Sequence, residues 1–281
     1  MSQLVLSGAH VAPALAAREA GRPAAELSPD LGLTTVEVTL EAEGVRFPSG
    51  ELLTWKAIDT ITSSPHNCFT LEEGVPRKVQ AFSPWTNRQM SLMPTDGAPT
   101  LVLAGFPMHR IKGIDPYRDT LLKVKALAPI RGRVLDTATG LGYTAIEEAR
   151  TAEQVVTIEI DPAVLEIARI NPWSRALFGN PRITQLIGDA SELVETLADE
   201  SFSRIMHDPP TLSLGGELYS GEFYHELFRV LRPGGRLFHY IGDLESAASG
   251  RLVQGVTRRL REAGFERVRP RREAYGLVAF K

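Results

Sequence analysis

Short apolar runs alternate with helically spaced segments along the second half of the chain. The β-rich runs "RVLDTA" (133–138) and "QVVTIEI" (154–160) are each followed by apolar residues spaced three and four apart. The same rhythm continues through "RITQLIGD" (182–189), "FSRIMHD" (202–208) and "RLFHYIG" (236–242). Strands that alternate with helices predict βαβ units, and therefore a largely parallel sheet with helices on both faces.

The end of the chain follows a different pattern. A helix is expected over about 216–231 and another over about 245–263, where Gly264 ends it. Two short strands, "FERVRP" and "YGLVAFK", then close the chain with only a few residues between them. Because so short a connection cannot cross a sheet, we expect these two strands to pair antiparallel.

Residues 1–105 predict a separate, small α+β domain. The stretch 11–27 contains two short segments with helical spacing, and "TTVEVTL" and "GVRF" alternate like the strands of a hairpin. Further strands are expected in "KVQAF", "MSLMP" and "TLVLAG". We therefore expect an N-terminal domain over 1–105 and a second domain over 106–281.

Composition narrows the class of protein. The 281 residues are 43% hydrophobic and 23% charged, as in an ordinary globular protein, and no apolar run reaches the roughly 20 residues of a membrane span. Cys68 is the only cysteine, which excludes an internal disulfide and argues against a thiolate zinc site. We expect a cytoplasmic protein with no metal and no membrane partner.

Charge is unevenly distributed. The net charge of −3 argues against a dedicated non-specific nucleic-acid binder. Residues 251–272 nevertheless contain eight arginines and only two glutamates. This segment is either a solvated helix face or an edge that contacts phosphate, because arginine forks match phosphate oxygens.

The first strand of the second domain leads into "LDTATGLGYTA", a turn with candidate ligand-binding chemistry. Gly140 and Gly142 allow a tight turn and a close backbone approach, and Asp136 stands at the strand tip. Glu159, at the next strand tip, is placed to bind both hydroxyls of a ribose, and Asp189 ends the third strand. An acid inside the turn suits a cationic ligand better than a diphosphate.

Over about 130–281 this pattern resembles the class I S-adenosylmethionine-dependent methyltransferases, which implies a Rossmann-like sheet with an antiparallel last strand. By this resemblance, Asp136 and the turn hold the methionyl part of S-adenosylmethionine, Glu159 binds its ribose, and Asp189 reads its adenine. The implied cofactor residues are Asp136, Ala138, Gly140, Gly142, Tyr143, Glu159, Asp189 and Ala190.

Asp208-Pro209-Pro210 ends the fourth strand and looks like the (D/N)-P-P-aromatic motif of methyltransferases that act on amino nitrogens. The resemblance implies that these three residues are catalytic. Thr211 departs from the motif, because an aromatic residue normally stacks on the target base there. Tyr143, Tyr219, Phe223 or Tyr224 would have to supply that surface, although Phe223 and Tyr224 fit a helix core equally well.

The cofactor turn and the Asp208 turn, together with "NPWSRALF" and "VLRPGGRLFHYIG", resemble a largely archaeal family of predicted methyltransferases associated with N4-methylation of cytidine in ribosomal RNA. RNA is therefore the expected partner. The candidate substrate residues are His109, Lys112, Asp119, Tyr219 and Phe223. Methylation of DNA or of a protein amide, aminopropyl transfer from decarboxylated S-adenosylmethionine, and a non-catalytic binding module remain alternatives, and the oligomeric state stays open.

Overall fold

A computed structural model describes residues 3–245 and 249–281, and the chain forms two compact units. The first consists of Met1–Tyr117 with Ala163–Arg175, and the second of Arg118–Pro162 with Ala176–Lys281. The predicted division into domains at 1–105 and 106–281 stays a prediction.

The first unit combines helices with small antiparallel sheets. Its helices are α1 (Gly8–Glu19) and α2 (Trp55–Thr62), and α3 (Pro116–Leu127) begins in it and continues into the second unit. Its strands are β1 (Val5–Ser7), β2 (Ala24–Leu27), β3 (Val36–Leu40), β4 (Gly44–Arg46), β5 (Leu52–Thr54), β6 (Cys68–Glu72), β7 (Val75–Lys78), β8 (Gln80–Ser83), β9 (Arg88–Met93), β10 (Thr100–Leu103) and β11 (Phe106–Pro107). They form three sheets with the orders β1-β6-β7, β2-β3-β4-β5 and β11-β10-β9-β8.

One part of the N-terminal prediction is wrong. The expected second helical segment within 11–27 is the strand β2, which pairs antiparallel with β3. Gly21 adopts a φ of 65° after α1, which ends the helix, and Pro23 follows it. The four residues of β2 then alternate, with Leu27 buried and Glu26 exposed, as a half-buried strand requires. The predicted hairpin of β3 and β4 is confirmed.

The second unit is built on one seven-stranded sheet. Its strands are β12 (Arg133–Asp136), β13 (Gln154–Glu159), β14 (Ile183–Ile187), β15 (Phe202–His207), β16 (Leu231–Tyr240), β17 (Arg269–Arg271) and β18 (Gly276–Phe280). The order is β14-β13-β12-β15-β16-β18-β17, with parallel pairs from β14 through β16 and antiparallel pairs at β16-β18 and β17-β18. The predicted fold class, a mostly parallel Rossmann-like sheet with antiparallel final strands and a small α+β N-terminal part, is confirmed.

Helices connect these strands. They are α4 (Tyr143–Glu148), α5 (Pro162–Ile170, most of it in the first unit), α6 (Ala190–Glu195), α7 (Gly221–Val230) and α8 (Ser249–Glu262), with 3₁₀ turns at Pro172–Leu177 and Gly216–Tyr219. The single helix predicted over 216–231 is divided at Ser220, whose side chain accepts the N–H of Phe223 and caps α7. Residues 246–248 of the helix predicted over 245–263 lie outside the described residues.

Alternate side chains of the sheet enter cores on its two faces. Ile205 and Leu237 join a large cluster with α7 and α8, whereas their neighbours Met206 and Phe238 join a second cluster with Leu127 of α3. This period of two fixes which strand residues reach each face. It leaves the carboxyl ends of β12, β13, β14 and β15 side by side, where polar residues follow each strand.

Candidate active site

The order of the sheet reverses between β12 and β15, and the turn after β12 lies at this point. Parallel sheets bind ligands where the strand order reverses, beyond the carboxyl ends of the strands. The N–H of Thr137 donates to the carbonyl of Met206 on β15 (3.0 Å), and the N–H of Thr139 donates to that of Ile158 on β13 (2.8 Å). The turn is thus bonded to both neighbouring strands.

Asp136 is a fully buried carboxylate at the tip of β12. It accepts the hydroxyl of Thr144 (2.6 Å) and the N–H of Ala138 (3.2 Å). Burial raises the pKa of Asp136 to about 7, although these two hydrogen bonds oppose the rise. Such a group gains from a cationic ligand, because a nearby positive charge stabilises its ionised form.

Glu159 stands at the tip of β13 and is tied to the same turn. Its carboxylate accepts the N–H of Gly140 (2.8 Å) and the N–H of Asp161 (3.1 Å). Burial raises the pKa of Glu159 to about 7, against the effect of these two donors. The structure therefore brings together Asp136, Glu159 and Gly140, three of the residues expected to bind the cofactor.

The two glycines of the turn differ in their surroundings. Gly140 (φ 53°) and Gly142 (φ 77°) both adopt the left-handed conformation that glycine favours. A Cβ at Gly142 would meet Leu177 at 2.6 Å, whereas a Cβ at Gly140 would meet no atom within 4 Å. Gly142 is therefore needed for packing, and Gly140 leaves open space above the turn. Tyr143, the first residue of α4, is buried, and Ala138 is half-buried.

Asp189 caps α6 and keeps part of its carboxylate available. Its Oδ1 accepts both the N–H (2.8 Å) and the hydroxyl (2.7 Å) of Ser191, and Oδ2 forms no hydrogen bond within the described part of the chain. Ala190 beside it is buried. Ile160 and Ile187, which follow Glu159 and precede Gly188, are 42% and 59% exposed. Exposed apolar side chains beside an available acceptor fit a flat base such as adenine.

The residues of this edge therefore fit S-adenosylmethionine. The ligand carries an ammonium and a sulfonium cation, a ribose and an adenine. Two buried carboxylates, an open glycine turn and an apolar strip next to Asp189 match these groups in kind. The roles of the individual residues remain predictions.

Asp208 follows β15 and belongs to a buried group of charges. Its Oδ2 accepts a hydrogen bond from the Lys123 ammonium at 2.6 Å, and Lys123 also lies 3.0 Å from Oδ2 of Asp119, one turn earlier in α3. Lys123 and Asp119 are essentially fully buried, whereas the Asp208 side chain keeps 19% of its exposure. The Lys123 ammonium also lies 4.3 Å from the ring centre of Tyr240, at the end of β16.

Each charge in this group stabilises the ionised form of its oppositely charged neighbour. Burial alone lowers the pKa of Lys123, but Asp208 and Asp119 together raise it above its usual range, so Lys123 stays an ammonium. Burial raises the pKa of Asp208, and Lys123 opposes that rise. Asp208 is therefore a partly exposed carboxylate with one oxygen held by a permanent cation.

The carbonyls of the two prolines after Asp208 differ in their hydrogen bonding. The Tyr219 hydroxyl donates to the carbonyl of Pro210 at 3.0 Å, while the carbonyl of Pro209 forms no hydrogen bond among the described residues. Pro209 is a buried residue, and its carbonyl is thus an acceptor next to Asp208 without a partner in the described part of the chain. Thr211 is exposed, with its hydroxyl 3.1 Å from that of Ser213, and Leu212 is 47% exposed.

His207 lies beneath this turn in the core. Its Nδ1 is 2.7 Å from the hydroxyl of Thr137, and its Nε2 donates to the carbonyl of Leu218 at 2.9 Å. Burial lowers the pKa of His207 to about 3, so the ring is neutral. Phe223 packs on it with ring centres 5.3 Å apart and is itself buried, as is Tyr219. A substrate contact for Tyr219 or Phe223 stays a prediction.

Two of the predicted substrate residues belong to the first unit. His109 is half-buried with its Nδ1 3.0 Å from the hydroxyl of Thr100, and Lys112 is exposed. Asp119 belongs to the second unit, in the group described above. Lys123 and Tyr240 were not predicted from the sequence. The available signal was the i, i+4 spacing of Asp119 and Lys123, which places both side chains on one face of α3.

The described residues hold neither a membrane-spanning helix nor a metal-binding cluster of side chains. None of the helices there is both long and apolar enough to cross a membrane. Among the same residues, no group of three or more His, Cys, Asp or Glu side chains is arranged to hold a metal ion.

Comparison with known proteins identifies a protein family to which the chain is similar. Residues 134–235 match the family described as "Methyltransferase domain". The uncharacterized protein MJ1233 of Methanocaldococcus jannaschii is 43% identical over 244 residues, which are 86% of this chain and 82% of that protein.

More distantly similar proteins align with only part of the chain. Putrescine N-methyltransferase 2 of Nicotiana tabacum is 29% identical over 140 residues, 48% of this chain, and the match spans only 40% of the plant enzyme. A crystal structure of spermidine synthase in complex with the transition state analogue AdoDATO aligns with a TM-score of 0.60 at 21% identity, over 73% of this chain and 75% of that one. At this identity the likeness shows the fold alone.

Proposed function

The chain belongs to the family of the M. jannaschii protein MJ1233 and carries a class I methyltransferase domain, and from this premise we propose that it is an amino-methyltransferase acting on RNA. It transfers the methyl group of S-adenosylmethionine to the exocyclic amino nitrogen of a base, with cytidine N4 of ribosomal RNA as the target. One observation carries the proposal. The Asp208 carboxylate, which keeps 19% of its exposure, and the adjacent Pro209 carbonyl follow β15, the strand next to the cofactor turn, and Lys123 forms an ion pair with Asp208.

The chemistry of an exocyclic amino group requires such acceptors. Its lone pair is delocalised into the ring, which makes the nitrogen a poor nucleophile. Asp208 accepts one N–H and the Pro209 carbonyl accepts the other, which localises the lone pair and aims it. Bound S-adenosylmethionine supplies an electrophilic methyl group on its sulfonium. As the N–C bond forms and the C–S bond breaks, the nitrogen becomes acidic and its proton passes to Asp208. Catalysis here is mostly positioning and electrostatics.

We assign the remaining carboxylates to the cofactor. Asp136 faces the methionyl ammonium, Glu159 binds the two ribose hydroxyls, and Asp189 with the backbone of Ala190 reads the adenine amino group. Ala138, Gly140, Gly142 and Tyr143 shape the turn around the methionyl part. The hydrogen bond between Gly140 and Glu159 supports this assignment, because it couples the turn to the ribose carboxylate.

Lys123 favours a neutral amino group over a polyamine. A polyamine substrate is a multiple cation and needs unpaired carboxylates to hold it. Here one oxygen of Asp208 is paired with a buried ammonium 2.6 Å away, which occupies the position that a substrate cation would take at that oxygen. A conjugated amino group carries no charge and needs only a hydrogen-bond acceptor. We propose that Tyr240, whose ring centre lies 4.3 Å from the Lys123 ammonium, offers the base the aromatic contact that Thr211 does not.

N-methylation of a polyamine is the second candidate, and the similarity to a putrescine N-methyltransferase over 140 residues is what favours it. In either case we propose that residues 1–105 select the substrate, with His109 and Lys112 contributing from the adjoining segment. A methyltransferase core binds its cofactor alone, and added surface is what distinguishes a large acceptor from a small one.

A substrate panel separates these candidates. The protein is incubated with methyl-labelled S-adenosylmethionine and, separately, with unmodified ribosomal RNA transcripts, DNA of the same sequence, and putrescine. We expect label in RNA alone, recovered as N4-methylcytidine by mass spectrometry of the nucleosides. Label in putrescine alone would establish the second candidate. Formation of spermidine from decarboxylated S-adenosylmethionine and putrescine would identify an aminopropyltransferase, and Asp208→Ala serves as the inactive control in each arm.

A further inference from the structure

A second charged surface lies at the opposite edge of the sheet from Asp208. Arginines stand at or near the amino ends of β12, β15 and β16 and beside β17, all within the second unit. We call them the arginine cluster, and its members are Arg131, Arg133, Arg204, Arg232, Arg236, Arg267 and Arg269. Because Arg204 precedes Asp208 by four residues on one extended strand, the two edges are separated by about 13 Å.

The inner members of the cluster are fixed by the fold. Arg204 and Arg236 are register partners on the neighbouring parallel strands β15 and β16. Arg204 is 1% exposed, and its guanidinium donates to the carbonyls of Pro129 (2.9 Å) and Ser203 (2.6 Å). Arg236 donates to the carbonyl of Ala128. These bonds hold two positive charges side by side at the base of the sheet.

The remaining members lie around Arg204 and Arg236. The ring of Phe280 connects the inner Arg236 with the outer Arg267 and Arg269, because their guanidinium carbons lie 5.4, 4.9 and 5.9 Å from its centre. A Cβ added at Gly132 would lie 3.6 Å from Nη2 of Arg232, which places Arg232 at the turn next to Arg131. Arg133 lies over Phe202, 4.9 Å from the ring centre. All five members other than Arg204 and Arg236 are exposed.

Among the described residues, no carboxylate neutralises the cluster. None of its seven members forms an ion pair with Asp or Glu anywhere in the described ranges 3–245 and 249–281. The nearby acids are Glu153, Glu200 and Glu266, of which Glu200 lies 3.6 Å from Lys281 instead. Burial, together with repulsion from Arg236, Arg131 and Arg232, lowers the pKa of Arg204 to about 10. Mutually repelling guanidinium groups destabilise a protein unless an anion meets them.

We propose that the arginine cluster is a phosphate-binding surface that holds the backbone of the RNA substrate while its target base reaches Asp208 from the other edge. The proposal rests on the proposed function, from which it takes RNA as the acceptor. Arginine presents a planar fork of donors that matches phosphate oxygens. Phosphate contacts fix the position of a nucleic acid and carry no sequence information, which suits a surface distant from the reacting base. A folded RNA is large enough to contact both edges.

Charge-reversal variants test the location of the surface. The test variant is Arg232→Glu with Arg267→Glu, both exposed members of the cluster. The matched control is Arg251→Glu with Arg258→Glu, which changes the net charge equally on exposed residues of α8. The probe is a fluorescein-labelled 30-nucleotide RNA hairpin, and its affinity is measured by anisotropy between 50 and 300 mM KCl. Binding is read directly, so the result does not depend on whether RNA is methylated.

We expect the test variant to lose at least about tenfold in affinity, and the slope of log K against log[KCl] to fall in magnitude by about 1.5, as for two lost phosphate contacts. The control should keep both values. Equal losses in the two variants would overturn the proposal, because net charge rather than the cluster would then govern binding. So would failure of the wild-type protein to bind the hairpin, or tighter binding of poly-glutamate than of RNA. If the Glu variant does not fold, Arg232→Gln with Arg267→Gln decides, with an expected loss of a few fold. Unchanged affinity in that folded variant would also overturn the proposal.

Discussion

Replacing Lys123 with methionine removes the cation that the buried carboxylate Asp119 and the partly exposed carboxylate Asp208 share. The Lys123 ammonium lies 3.0 and 2.6 Å from these carboxylates, and 1% of the residue is exposed. Removing one partner of a buried ion pair costs about 3–5 kcal/mol, because the other charge is left buried and uncompensated. Methionine has nearly the volume of lysine, so lost packing adds little. For a chain of this size the loss corresponds to a fall in Tm of about 10 °C.

The pH dependence of this loss identifies its cause. Without the ammonium, nothing from Lys123 opposes the rise in pKa that burial causes at Asp208, so in the folded variant Asp208 escapes the penalty of burial by taking up a proton. A carboxyl with a raised folded pKa weakens stability as pH rises through that pKa. The difference in unfolding free energy between wild type and Lys123→Met should therefore be larger at pH 8 than at pH 5.5.

Urea denaturation at these two pH values measures the effect, with Lys125→Met as the control. Lys125 lies two residues further along α3 and is exposed, so its replacement should cost less than about 0.5 kcal/mol at either pH. Equal losses for the two variants, or a loss for Lys123→Met that does not change with pH, would refute the assignment of a buried charge group at Asp208.

Two further predictions concern the cofactor carboxylates. Glu159→Ala should weaken S-adenosylmethionine binding by about 1–3 kcal/mol, because two ribose hydroxyls lose their partner, and calorimetry showing unchanged affinity would remove Glu159 from the site. Asp136→Asn should abolish tight cofactor binding and yet stabilise the protein at pH 8, since burial raises the pKa of Asp136 from 3.8 to about 7 and ionising it there costs up to about 4 kcal/mol. The gain should vanish below about pH 4, and denaturation curves that show no gain at pH 8 would contradict this account of Asp136.

The main sheet could be predicted from the sequence because the pattern that indicates each of its strands and helices lies within a short segment of the chain. Each of the strands β12 to β16 is an apolar run followed by a helical segment, and this alternation alone implies parallel pairing. The carboxylates at 136, 159, 189 and 208 could be assigned to the strand ends for the same reason, since each is the last residue of its strand or lies within two residues of it. The strand β2 was mistaken for a helix because its four residues "AAEL" favour helix by composition, and only pairing with β3 makes them extended.

The charge group at Asp208 could not be predicted, because it depends on contacts distant in sequence. Lys123 and Asp208 are 85 residues apart, and nothing in the spacing of either segment brings them together. The arginine cluster has the same origin, since its members come from separate strands and loops that only the sheet order places side by side. The arginine-rich segment 251–272 supplied two of them, Arg267 and Arg269, but the rest lie outside it.

The single-turnover rate of Asp208→Ala tests the central claim most directly. The variant is saturated with S-adenosylmethionine and mixed with the RNA acceptor, and its cofactor affinity and Tm are measured on the same sample. If Asp208 orients the amino group, the rate should fall by roughly 10²–10³ with cofactor affinity nearly unchanged, and Asp208→Asn should fall less because its amide oxygen still accepts the bond. A folded Asp208→Ala protein that binds cofactor and transfers methyl at the wild-type rate would contradict the account.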